Sequence, residues 1–408
     1  MTSPTMLDIK HAIDGTATAV EQFKQTHAAE TAALRERIEQ LEALRMNPGP
    51  TAGKGASQRP ADAVVLGDTC LPILRKSSDF AAHYRAAADA ADLQDLTLAD
   101  FCRGIAGAKT SAAATKALSV GVGSGGGHAV PEVLMPRILE ALTPASAVLE
   151  AGGGIVDVST MDAKSHSWAG IATIPSAAWR AEAGAVAESE PTFRLVTAEA
   201  KSLSFYFKVS RELLADAPNI DQALQQVIAQ AFARELDRAS LRGSGSAPEP
   251  RGVLHTADVG AVGNGASGAT QSSVRWNNLH SAVSTILGFD APPPSAAIMA
   301  PRSLVGYSAL ADTTNQPLER PTLLRSMQFL ATSQIPVNLT VGGSSDCTEV
   351  YVGDFSKVLL VMRERPAIMR ADQAFALNGQ VAFVCHVRAD IVVTYPRCFA
   401  IITGLRAN

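Results

Sequence analysis

Cys385 and His386 are adjacent, and a thiol beside an imidazole raises the prospect of a thiolate–imidazole pair. They fall in a strand-like run, where neighbouring side chains point to opposite faces. A packed Cys and an outward-facing His are therefore expected. Glu182, Glu188 and Glu190 form an acidic group of the kind used for acid–base chemistry or metal binding. No His lies near them in sequence, so they read as a solvated or intersubunit charged loop. Arg180 or Arg194 is the expected pairing cation, across subunits included, and such pairs set register more than they add affinity. Trp179 stands beside this loop and reads either as an interface anchor or as a cover for the base of a hairpin. Gly121, Gly123 and Gly126 spell G-x-G-x-x-G. A dinucleotide site needs a strand before that motif and a helix directly after it. Here an Ala-rich run precedes it and Pro131 follows, so the stretch reads as a hinge.

The sequence holds no G-x-S-x-G elbow. The five cysteines, Cys70, Cys102, Cys347, Cys385 and Cys398, include no C-x-x-C pair, so neither a disulfide framework nor a zinc site is expected. The residues capable of chemistry are scattered, and the sequence predicts no enzyme, no metal and no cofactor.

The elements that must position these residues follow from composition and period. A chain of 408 residues exceeds one ordinary core, so two or three folding units are expected. Hydrophobic residues make up 47% and charged residues 18%, which predicts a mostly folded chain. Aromatic residues are only 5%, which suits thin layers and extended arms better than a deep enzyme core. The net charge of -4 argues against bulk attraction to nucleic acid. Asp8 and Lys10 stand where a signal peptide would be apolar, and no run approaches the roughly 18 apolar residues of a membrane span. Synthesis in a reducing cytosol, away from membranes, is the expectation.

Leu7 to Arg45 reads as one helix with Ile13, Val20, His27, Leu34 and Leu41 seven residues apart. The companion positions Ala17, Lys24, Thr31 and Ile38 are weaker, which predicts a short, marginal coiled coil or a solitary amphipathic helix. Pro48, Gly49, Pro50, Gly53 and Gly55 mark a linker over Met46 to Pro60. Residues 61–116 are Ala-rich with short helical patterns at Ser78 to Ala91 and Leu98 to Ile105. A short helix is expected over Glu132 to Leu142, and strands over Ile155 to Val158 and Ile171 to Ile174. In Ser202 to Val209, Leu203, Phe205, Phe207 and Val209 share one face, as in a half-buried strand. Strand-like arms around the polar, acidic stretch Trp179 to Phe193 predict a long β-hairpin that needs a neighbouring molecule to be stable. Asn219 or Asp221 would cap a long helix running to Leu241, with Ile220, Leu224, Val227, Ile228, Ala231, Phe232 and Leu236 on its apolar stripe. Helix and strand alternate over 276–345, and Val350 to Gly404 is mostly strand. The fold class is α+β.

Several short motifs, taken in order, resemble a known family. They are Gly-Gly-Gly-His-Ala-Val-Pro at 125–131, Trp179-Arg180-Ala181-Glu182 and Lys208-Val209-Ser210-Arg211-Glu212-Leu213-Leu214. They continue with Arg234-Glu235-Leu236-Asp237, Gly243-Ser244-Gly245, Pro250-Arg251-Gly252-Val253-Leu254 and Val352-Gly353-Asp354-Phe355. From about residue 115 onward the chain resembles the tailed-bacteriophage major capsid proteins of the Hong Kong ninety-seven-like phage capsid fold.

The resemblance implies an N-arm and entry to the body over 117–154, and an extended hairpin loop over 155–207. It implies a peripheral domain with a spine helix over 208–273, an axial domain over 274–345, and return strands over 346–408. Residues 1–116 resemble the scaffolding segment fused to some relatives, which a prohead protease removes; the cut would fall near Lys116-Ala117. The implied partners are copies of the chain itself in hexamers and pentamers, a portal protein, the prohead protease, decoration proteins, and packaged double-stranded DNA bound without sequence specificity. The place implied is the virion capsid, after synthesis in the bacterial host cytoplasm. Some relatives join a Lys of the extended loop to an Asn of the peripheral domain with help from a Glu. Lys164 and Asn378 are the candidates here, but Cys385 or His386 stands where the Glu belongs, so no crosslink is expected. A gene-transfer-agent shell, an encapsulin-like compartment and, from another class, a prohead protease are the alternatives.

Overall fold

Period-two runs and continuous apolar runs organise this protein into two principal sheets. The computed structural model describes residues 63–66, 69–84, 96–105, 128–129, 134–159, 161, 163, 165–173, 179, 190, 192–216, 220–371 and 379–407. The heptad segment, the Gly-rich stretch at 120–127, and Lys116, Ala117, Lys164, Arg180, Glu182, Glu188 and Asn378 lie outside these residues.

The described chain begins with an antiparallel ribbon, β1 (Ala63–Leu66) and β2 (Thr69–Pro72), followed by helices α1 (Ser77–His83) and α2 (Leu98–Ile105). The short β3 (His128–Ala129) leads to α3 (Met135–Ala145), α4 (Ala147–Glu150) and β4 (Gly154–Asp157). Next come β5 (Ser165–Thr173), β6 (Thr192–Glu199), β7 (Lys201–Ser210), α5 (Arg211–Asp216) and the long α6 (Ile220–Arg242). The second half holds β8 (Gly260–Gly263), β9 (Ala269–Thr270), α7 (Gln271–Val274), α8 (Asn277–Leu287), β10 (Ala296–Met299), α9 (Pro301–Ser308) and α10 (Thr322–Arg325). It ends with β11 (Gln328–Ala331), β12 (Leu339–Val341), β13 (Ser344–Gly353), β14 (Val358–Ala371), β15 (Gln380–Val393) and β16 (Phe399–Arg406).

The first sheet runs β3-β14-β15-β7, with β4 parallel to the start of β14. Its β7 keeps the expected alternation: Leu203, Phe205, Phe207 and Val209 turn inward while Ser202, Ser204, Tyr206 and Lys208 face out. Phe205 meets Phe232 of α6 edge-on at 4.9 Å, and Phe207 lies 5.5 Å from Phe383 of β15. This corrects the hairpin arms. Ile155 to Val158 and Ser202 to Val209 belong to the body sheet, because their apolar faces are taken up by the body. The hairpin itself is β5 with β6, paired from Ser165↔Glu199 to Thr173↔Thr192.

Helix α6 buries Ile220, Leu224, Ile228, Phe232 and Leu236, four residues apart, and α3 packs against it. Ala229 and Ala233 fill the flank of that stripe. Val227, expected inside, is 48% exposed, since it stands about 100° round the helix from Ile228. The end of α6 explains two of the motifs. Gly252 N–H donates to Gly243 O at 2.9 Å, and a Cβ on Gly252 would stand 2.6 Å from Gly243 N and 2.7 Å from Ala239 O. Asp237 accepts from Ser146 Oγ at 2.6 Å, from the Ala147 and Val148 amides at 3.0 and 3.2 Å, and from Thr332 Oγ1 at 3.2 Å. One buried carboxylate thereby caps α4 and joins both halves of the chain.

The second sheet runs β11-β10-β13-β16-β8, with β12 on β13 and β9 on β16. Ala296 to Met299 is fully buried, as a continuous apolar run should be. The expected division at 345/346 falls inside β13, which pairs with both β10 and β16. The chain thus leaves this sheet at Gly353 and returns to it at Phe399. Residues 260–270, expected with the spine helix, also add β8 and β9 to it, because β16 offers them a free edge.

The described residues between 63 and 105 do not stand apart from the body. Phe80, Leu98 and Phe101 share its main core, and Val64, Leu66 and Leu71 share a second, smaller one.

Candidate functional site

The hairpin β5–β6 carries the residues that distinguish this surface. Opposed positions put His166 against Ala198, Trp168 against Val196 and Gly170 against Arg194 on one face. That inner face is seated: Val196 and Ala198 are each 3% exposed and pack with Val156, Val158, Leu359, Val361 and Val392. The outer face carries Phe193 and Leu195, which are 67% and 70% exposed. Tyr206, on the outward face of β7, is also exposed. Large apolar side chains grouped on a strand face that nothing among the described residues covers mark an interaction surface.

The hairpin is pinned at its base by polar contacts. Arg194 donates to Val393 O at 2.6 Å. Burial draws its pKa down, against the raising effect of the Asp258 charge. Among the described residues it is thus held by backbone carbonyls rather than by an acid in an ion pair. Glu182 and Glu188, two of the acids expected to pair with it, lie outside the described residues. Beyond it, Asp390 accepts from Glu199 N at 2.7 Å, Ile391 N at 2.9 Å and Lys201 Nζ at 3.3 Å. Burial raises the Asp390 pKa despite these donors. At the other root, buried Asp157 accepts from Tyr84 Oη at 2.9 Å, Arg365 Nε at 3.0 Å and Ser159 N at 2.9 Å. Burial alone would raise this carboxyl, but His83, Ser159 and the Arg365 charge hold it well below the usual carboxylate range.

Of the residues singled out from sequence between 179 and 190, Trp179 and Glu190 are described, and both are exposed. Trp179 does not cover the hairpin base; Trp168 packs there, beside Val196. Phe193, Leu195, Tyr206, Asp157 and Asp390 were not singled out. The signal for the first two is legible: in Thr-Phe-Arg-Leu-Val-Thr-Ala-Glu, apolar residues occupy both parities, which a strand apolar on both faces requires. Cys385 and His386 alternate as expected. Cys385 is 1% exposed, and burial pushes its thiol up to about 12, which keeps it out of thiolate chemistry. Among the described residues no three His, Cys, Asp or Glu side chains are placed to hold a metal ion. Also among them, no helix is long and apolar enough to cross a membrane.

The sequence model of the phage capsid family matches residues 126–404, more than half of the chain. The chain belongs to the phage capsid family. This capsid protein is a structural subunit, a major capsid protein of an icosahedral shell. Its fold is similar to that of the capsid of an empty GTA particle, with a TM-score of 0.51 at 19% identity over 65% of this chain and 90% of that one. The capsid of a native GTA particle gives 0.47 at 21% identity over 64% and 90% of the two chains. A chain of Mycobacterium phage Adephagia gives 0.47 at 17% identity over 64% and 91%. A search among curated proteins gives no match. The two sheets, the long α6 and the β5–β6 hairpin are thus the parts of a Hong Kong ninety-seven-like capsid subunit.

Proposed function

We propose that this capsid protein assembles as pentamers and hexamers that close into a shell around double-stranded DNA, with each hairpin lying on a neighbouring subunit. The observation that carries this reading is the outer face of β6. Phe193 and Leu195 are largely exposed although they alternate with buried Val196 and Ala198. A neighbouring copy is the partner such a face needs. An open cleft of about 410 Å³ beside it, with Arg194 and Arg251 on its wall, suits the acidic stretch around Glu182, Glu188 and Glu190 of a second copy. Trp179 and Arg180 would then approach the neighbour with that stretch. Many weak contacts of this kind add by avidity while allowing misplaced subunits to leave during growth.

The finer parts of this reading extend it. Of the fused scaffolding segment 1–116, the heptad-bearing part over residues 1–45 acts during assembly. A prohead protease cuts near Lys116-Ala117, a portal protein occupies one vertex, and decoration proteins bind outside. The net charge of -4 fits a container that holds DNA without gripping its sequence. The subunit is made in the bacterial host cytoplasm before it joins the virion. Family membership favours a phage or gene-transfer-agent shell over a prohead protease.

The test is the double variant Phe193→Asp/Leu195→Asp. Its circular dichroism should equal that of the parent, while sedimentation velocity shows only subunits or small rings where the parent gives shells. Shells of normal size from this variant would remove the hairpin from the assembly contact.

A further inference from the structure

The ribbon β1–β2 and helices α1 and α2 lie upstream of the matched region 126–404, yet they are built like core. Leu74, Phe80, Tyr84, Leu96, Leu98 and Phe101 are each at most 2% exposed. Leu74 and Ile155 exchange both backbone hydrogen bonds at 2.8 Å. Arg137 donates to Leu96 O at 3.2 Å, Arg75 donates to Ser356 O at 3.1 Å, and Ser77 bonds Glu140.

Two contacts reach the hairpin. Val64, Leu66 and Leu71 close the second core over Val196 and Ala198, on the hairpin's inner face. Tyr84 donates to Asp157, and His83 Nε2 stands 3.8 Å from the same carboxylate. Asp157 ends β4, from which the chain runs on to β5. A removable organiser would be expected to present a solvated face to the body. This one supplies buried side chains to both cores.

We propose that β1–β2, α1 and α2 form a strap that stays docked on the shell subunit and fixes the base of the hairpin. A cut at Lys116-Ala117 would leave this strap bound as a separate chain. The strap rests on packing within one subunit, so it can fail while the capsid reading stands, and the reverse.

A site for a sequence-specific protease is inserted between Lys116 and Ala117 of the full chain, and the cut protein is run on size exclusion without denaturant. Hydrogen exchange then reads the amides of β5 and β6. The two pieces should co-elute, and the hairpin should keep its protection. In the uncut Leu66→Asp/Leu71→Asp variant, β6 amides should exchange at least about tenfold faster while β10 and β13 are unchanged. Tyr84→Phe removes one hydroxyl and no carbon, and should give a smaller rise in the same two hairpin strands, which keeps the test open if the double variant fails to fold. Separation of the two pieces overturns the proposal, as does β6 exchange that is the same in both variants as in the parent.

Discussion

Asp157 shows how much one side chain can carry. It joins Tyr84, 73 residues upstream, to Arg365, 208 residues downstream, at the root of the hairpin. Asp157→Ala removes the acceptor of both and should cost about 3 kcal/mol in urea unfolding of the unassembled subunit. The sign with pH follows from its depressed pKa. Its contribution is fully present above the unfolded carboxyl value of about 3.9 and is lost only as pH falls through the lower folded value. The unfolding midpoint of Asp157→Asn should therefore be lower than the parent's by a constant amount near neutral pH, and the gap should close in strong acid. A gap that stays the same into strong acid would contradict this. Chemistry at residue scale was legible where it depended on parity, as for Cys385 and His386. It was not legible for Asp157, since a lone acid after Gly-Ile-Val gives no hint of partners so far away. With no carboxylate at 385 or 386, boiled particles should run as monomers on a denaturing gel; a covalent ladder would contradict this.

At the scale of elements, helix α6 and strand β10 were readable because their apolar patterns are clean. The hairpin was misassigned for the opposite reason. Three strand-like runs of similar composition flank the acidic stretch, and only pairing with β14 and β15 decides which of them belong to the body. Residues 63–105 fall within the segment that the resemblance implies is removed; Phe80, Leu98 and Phe101 find their partners on α3 and α6, which no local pattern encodes. The Gly-containing motifs mark places where backbone passes too close for a side chain. Gly353 leaves no room for a side chain, as a Cβ there would stand 2.3 Å from Phe399 Cδ1. Gly252→Ala would press a methyl group onto the backbone at the end of α6 and should lower stability by roughly 2 kcal/mol. Thermal unfolding reads this, and an unchanged midpoint would show that the loop yields without cost.

The whole molecule is a subunit with one seated and one unseated face on its hairpin, two sheets that share strands from distant parts of the chain, and an upstream strap. The order of the short motifs was enough to place the family, although each motif alone is weak, since order and spacing together encode the path between the sheets. In the proposed assembly the unseated face is where one subunit meets the next. Electron microscopy of the purified full-length protein at rising concentration tests this most directly. Closed shells, or rings of five and six subunits, are expected, with β6 of one subunit lying on the body of the next. Monomers or dimers at every concentration and salt, with Phe193 and Leu195 still open to solvent, would contradict it.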